Sequence, residues 1–161
     1  MLVKKTIKYT DYNNQEREED FFFEISEAEV VILDANTPEG FLEHMRKVSN
    51  NHNGKEIMEM FRMFIRLAYG EKSPDGKYFD KSDEISTRFE HTRAYNVLFM
   101  ELLTDAKKAA AFVSEVMPFN NDQRKEFNKM VDDLKDQMDK KAADKEEESK
   151  LTPIAIDGNE V

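Results

Sequence analysis

Between residues 55 and 69, apolar side chains recur at Ile57, Met60, Phe61, Phe64, Ile65 and Ala68. The steps of three and four follow the α-helical period and exclude a strand, so the spacing predicts an amphipathic helix over 55–69. Met58, Met63 and Leu67 lie off that stripe. A helix apolar over so much of its circumference is central in a fold or faces a partner. These three residues are therefore candidate partner contacts, and the rest of the chain must supply what buries the main stripe.

Two extended runs precede this helix. Residues 3–11 carry Val3, Ile7 and Tyr9 with Lys4 and Lys8 between, and residues 17–25 contain Phe21, Phe22 and Phe23. The intervening Tyr12-Asn13-Asn14-Gln15 is a turn signal, because Asn tolerates positive φ. Together they read as a β-hairpin. Phe21 and Phe23 share one face and Phe22 takes the other. The end of the hairpin thus needs cover on both sides, from helices or a neighbouring subunit. Ser26 and Glu29 then form a capping-box pattern for a helix with Val30, Val31 and Leu33 on its apolar side. Thr37 and Pro38 read as the cap and first turn of a second helix bearing Phe41, Leu42, Met45 and Val48.

After the 55–69 helix, Gly70 reads as a C-cap at positive φ and Pro74-Asp75-Gly76 as a turn. Tyr78 and Phe79 are expected to anchor this loop to the core. Ser82 caps a helix with Ile85, Phe89 and Thr92. Residues 94–103 continue as a helix with Tyr95, Leu98, Phe99 and Leu102 inward. Thr104-Asp105 opens another, carrying Ala109, Phe112, Val113 and Val116, which Pro118 ends. The predicted fold class is mainly α with a small N-terminal β-hairpin (α+β), a compact helical bundle plus a long C-terminal amphipathic helix.

That last helix is predicted over 122–147, capped by Asn121-Asp122. Its single narrow stripe is Phe127, Met130, Val131, Leu134 and Met138, and nearly everything else in it is charged or amide. Such a stripe wants a partner helix, in this chain or another. Phe127, Met130, Leu134 and Met138 are accordingly further candidate contacts. Residues 145–150 form a solvated charge run expected to fray. Beyond Pro153 lies a short apolar island, Ile154-Ala155-Ile156, in a tail read as flexible or as a docking strand. Three regions result: a hairpin-plus-helix domain over 1–119, the charged helix over 120–148, and a tail over 149–161.

The residues offer little for chemistry. Gly70-Glu71-Lys72-Ser73 resembles the end of a phosphate loop, but no Gly stands five residues earlier and Glu71 would repel the anion. Asp75, Asp80, Asp83 and Glu84 do not match a calcium-loop spacing. His44, His52 and His91 belong to no zinc motif, and a Glu-x-x-His di-iron pattern would need Glu where Phe41 and Arg88 stand. There is no cysteine, hence no thiol nucleophile and no disulfide framework. No cofactor, metal or catalytic residue is expected, and the chain is read as not an enzyme. A net charge of −10 repels phosphate backbones, so direct nucleic-acid binding is not expected. With no apolar run long enough for a signal peptide or a membrane span, the expectation is a soluble, cytosolic protein. What remains is interaction surface. Nine Met and twelve Phe without Trp fill irregular cores and also suit adaptable binding surfaces.

The order of several segments is informative. Ser26-Glu27-Ala28-Glu29 follows the hairpin. Asn53-Gly54-Lys55-Glu56-Ile57 follows it, then Tyr69-Gly70-Glu71-Lys72-Ser73-Pro74-Asp75-Gly76-Lys77-Tyr78-Phe79. Phe89-Glu90-His91-Thr92-Arg93-Ala94-Tyr95 and Phe99-Met100-Glu101-Leu102-Leu103-Thr104-Asp105-Ala106 come next. Over residues 3–118 this order resembles the tail assembly chaperones of siphovirus-type bacteriophages and prophages, most specifically over 69–106. The resemblance implies a mostly helical, non-catalytic protein that coats the tape-measure protein, keeps it soluble and helps recruit tail-tube subunits. It implies residence in the host cytoplasm during assembly and absence from the mature virion. A longer, frameshifted form of the protein is a further implied partner, and a homo-oligomer stays open. The alternative from another class is an acidic helical inhibitor that mimics DNA. Lys interleaved with Asp and Glu over 122–150 disfavours it, since a mimic needs carboxylates in long rows.

Overall fold

The computed structural model describes residues 1–151, without the side chain of Met138. The island Ile154-Ala155-Ile156 lies outside the described residues. Strands β1 (Val3–Thr10) and β2 (Glu16–Phe23) pair antiparallel, with Val3 opposite Phe23 and Thr10 opposite Glu16. Asp11 fastens their turn: its Oδ1 accepts from the backbone N–H of Asn13 at 2.8 Å and of Gln15 at 3.0 Å. Asn14 takes φ 59, a conformation Asn adopts at little cost. Ile7 and Phe23 point into the core. The opposite face is solvated and carries the ion pairs Lys4–Asp20 and Lys8–Glu18. Phe22, on that outer face, is covered by the Lys72 ammonium 5.0 Å from its ring centre.

Helix α1 (Glu27–Asn36) opens with the predicted capping box, both halves formed between Ser26 and Glu29. It has no buried residue. Val30 and Leu33 are half-buried, but Val31 is 68% exposed and Ile32 59%, so Val31 does not join the apolar side expected of it. Thr37 closes α1 instead of opening the next helix; its hydroxyl donates to the Leu33 carbonyl at 2.8 Å. Helix α2 (Phe41–Asn50) starts from Gly40 at φ 84. The cap comes from Asp34 of the preceding helix, whose Oδ1 accepts from the Phe41 N–H at 2.7 Å. A cap seven residues away is invisible to a local reading of Thr37-Pro38. Phe41, Met45 and Val48 are buried as one stripe.

Helix α3 (Gly54–Ala68), capped by Asn53, buries Phe64, Ile65 and Ala68. It runs directly into β3 (Tyr69–Lys72), which pairs with β2 and with the short β4 (Phe79–Asp80). The hairpin therefore grows into a four-stranded antiparallel sheet, β1-β2-β3-β4. This corrects the expectation of a plain helix stop. Gly70 lies in a strand and is not among the positive-φ glycines. Its role is close approach: a Cβ there would sit 2.7 Å from the Asp80 carbonyl oxygen and 2.7 Å from the Phe79 ring. The turn sits at Gly76 with φ 72, held by Asp75, which accepts from the Ser73 hydroxyl at 2.7 Å. Phe79 is half-buried but Tyr78 is 73% exposed, so Tyr78 does not anchor the loop.

Helices α4 (Asp83–Glu90), α5 (Arg93–Thr104) and α6 (Ala106–Val116) each begin at a side-chain cap, Ser82, Thr92 and Asp105 respectively. Thr92 thus starts α5 and does not pack within α4. The core is knit by rings from several elements. Phe112 of α6 meets Phe23 edge-on at 5.2 Å and Phe64 at 6.0 Å. Tyr69 stacks on Phe89 at 4.0 Å, contacts of the kind that add to simple burial. Burial pushes the Tyr69 phenol up to about 12.

Helix α7 (Asn121–Leu151) is opened by a reciprocal pair: Asn120 Oδ1 accepts from the Gln123 N–H at 2.8 Å, and Gln123 Oε1 from the Asn120 N–H at 3.1 Å. Its first turns pack against α2 and α6. Phe127 is buried there, 5.3 Å from the Phe119 ring, and Met130 and Val131 pack on the same core. Leu134 and Lys135 are half-buried, and the described residues beyond them are exposed. Residues 145–150, expected to fray, are helical, and α7 continues through Leu151.

Candidate interaction surface

The candidate contacts fall into two groups. On α3, the inner stripe is consumed by the core while Met58 is 41% exposed and Met63 43%, with Leu67 half-buried. Met63 and Leu67, four positions apart, share one flank of α3, while Met58 lies on the opposite flank of the buried stripe. On α7 the outcome is different. Phe127 is a core residue at 3% exposure and offers no free surface; its ring is held by Phe119. Met130 is packed against the body and Leu134 is half-buried at the edge of that packing. The Met138 side chain lies outside the described residues.

Met63 and Leu67 line a shallow groove of about 800 Å³ with α4 along its other side and Glu29 and Lys81 at its end. Salt bridges bind the groove together. Arg62 and Arg66 of α3 both reach Glu90 of α4, the second at 2.5 Å. The Arg62 guanidinium, seconded by Arg66, holds the Glu90 carboxyl below the usual carboxylate range. Arg66 also donates to the Thr87 hydroxyl at 3.2 Å, and Ser86 donates its hydroxyl to the Arg66 carbonyl at 2.9 Å. At the end of the groove, Lys81 donates to the Glu24 carbonyl at 2.7 Å and pairs with Glu29. Both glutamates adjoin α1, so this lysine ties the α1 capping box to the β4–α4 junction. The result is a largely polar groove with one apolar pair, Met63 and Leu67, inside an ionic border.

Two more exposed apolar pairs escaped the sequence reading, Val31 with Ile32 on α1 and Val97 with Met100 on α5. Val97 and Met100 are three positions apart and share a helix face; that spacing was the available signal. The three histidines do not converge. His44 lies 3.4 Å from Glu39, His52 sits in the α2–α3 turn at φ 51, and His91 closes α4. Among the described residues, no group of three or more His, Cys, Asp or Glu is placed to hold a metal ion. Among them, too, no helix is long and apolar enough to cross a membrane.

A family model described as phage tail assembly chaperone matches residues 2–158. The match spans α7 as well as the hairpin and the helical body, and so reaches well past the 3–118 span of the motif order. No curated protein and no solved structure matches the chain.

Proposed function

From the premise that the chain belongs to the phage tail assembly chaperone family, we propose that it binds the tape-measure protein during tail assembly. It keeps that protein soluble in the host cytoplasm, promotes tail-tube assembly, and does not remain in the finished virion. It acts by binding, without catalysis. The tail-tube protein, and a longer frameshifted form of the chain where one is made, are its further partners.

One observation carries this reading: α3 leaves Met58 and Met63 exposed, one on each flank of the stripe it buries in the core. Flexible thioether side chains on a rigid support suit a client with many similar apolar helical segments. The net charge of −10 keeps the loaded complex dispersed by self-repulsion.

The test is co-expression with the tape-measure protein of the same phage. The expected result is co-purification and a higher soluble yield of the client; a client that stays insoluble and unbound sinks the proposal. Met63→Asp sharpens the test. Because Met63 is only partly covered, stability to thermal unfolding should drop by no more than about 1 kcal/mol while client capture falls. A large stability loss would show that Met63 is core.

A further inference from the structure

The groove beside α3 has a chemistry specific enough to describe its occupant. Glu59, Met63 and Leu67 recur every fourth position and form one row along α3, while Asp83 and Thr87 form a row along α4. Two such rows leave a furrow of the kind into which the side-chain ridge of a third helix packs. The charges lining it are unbalanced. Its arginines and its lysine are engaged from within: Arg62 and Arg66 by Glu90, and Lys81 by Glu29. Two carboxylates are left facing outward. Glu59 is exposed and makes no ion pair among the described residues, and Asp83 is fully exposed, 4.0 Å from an Arg66 that Glu90 already holds. The furrow thus offers one apolar pair, Met63 and Leu67, flanked by acceptors that lack a full partner.

We propose that this groove receives a basic amphipathic helix of the tape-measure protein, a deepening that rests on the chaperone function proposed above. Apolar side chains one turn apart on the client pack on Met63 and Leu67. Lys or Arg on the flanks of the same helix pair with Glu59 and Asp83. Charge complementarity also selects against a second copy of this chain, which carries the same negative excess.

The test uses the full chain and overlapping synthetic helical peptides from the tape-measure protein, read by fluorescence anisotropy. Basic amphipathic peptides should bind, more weakly as salt rises. Glu59→Lys with Asp83→Lys should weaken them about tenfold or more and flatten the salt dependence, while the chain still unfolds cooperatively with only a small loss of stability from the lost acidic residue in the first turn of α4. Peptides with Lys exchanged for Glu should regain affinity for that double variant. Equal binding to both chains, no preference for basic peptides, or self-association abolished by the double variant would each overturn the proposal. If the double variant binds and solubilises the client as the parent does, the groove falls and the chaperone function stands. If the parent itself fails to solubilise the client, both fall.

Discussion

Helices α3 and α7 are both amphipathic, yet one is locked on several sides and the other is held by one end. α3 buries Phe64, Ile65 and Ala68, feeds its last residue into the sheet, and is bolted to α4 through Arg62, Arg66 and Glu90. α7 has Phe127, Met130 and Val131 on the body and then runs on through exposed residues to Leu151. At about 1.5 Å per residue the 31 residues of α7 span far more than the body can cover. The difference teaches that a stripe is buried only as far as there is a neighbour to bury it. Beyond that point a helix depends on its own residues, here Ala, Lys and Glu of good helix propensity and the i,i+4 spacings Asp136/Lys140 and Glu146/Lys150.

The contrast can be broken by mutation. Phe64→Ala removes a fully buried ring shared with Phe112 and should cost about 3–5 kcal/mol, read by chemical denaturation as a loss of the whole fold. Phe127→Ala removes a ring of the same size and should cost about 3 kcal/mol, but locally. Hydrogen exchange should then show α7 amides losing protection while α3 and α5 keep theirs. If protection fell everywhere together, α7 would be part of the same cooperative unit. Glu90→Gln tests the lock on α3 and should cost about 1–2 kcal/mol. Its pH dependence has a definite sign. The folded Glu90 pKa is depressed by Arg62 and Arg66, so its stabilisation is present above the unfolded pKa of about 4.3. It is lost as pH falls through the lower folded value. The variant should therefore show a shallower loss of stability below about pH 4; an unchanged acid limb would remove Glu90 from the lock. Ending the chain at Lys135 should change body stability by no more than about 0.5 kcal/mol, while far-ultraviolet circular dichroism loses the distal helical signal.

Much of this was legible in the residues. The hairpin followed from alternation and an Asn turn, the α1 capping box from Ser26 and Glu29, and α3 from its own period. What stayed hidden depended on distant partners. β3 and β4 are four and two residues long and have no period to read; they exist because Tyr69 and Gly70 meet Phe23 and Phe22. The α2 cap was missed because Asp34 supplies it from across a turn. Val31 looked like core because apolarity was taken for burial, and α1 is simply not covered there. For the interaction surface, Met58, Met63 and Leu67 were visible as residues off the stripe. The ionic border was not, since Arg62, Arg66 and Glu90 are brought together only by the packing of α3 on α4.

The pairing of β2 with β3 has a consequence in time. Everything from α1 to α3 lies between those two strands in the chain, so closing the sheet means closing a long loop against its entropy. Contacts of this separation slow folding. A chain emerging from the ribosome can form the β1–β2 hairpin at once, but Phe23 must wait for Tyr69 to be synthesised. During that interval the three phenylalanines at the end of β2 are uncovered. The run Glu16-Arg17-Glu18-Glu19-Asp20 stands immediately before them, and charges so placed disfavour edge-to-edge pairing of exposed strands.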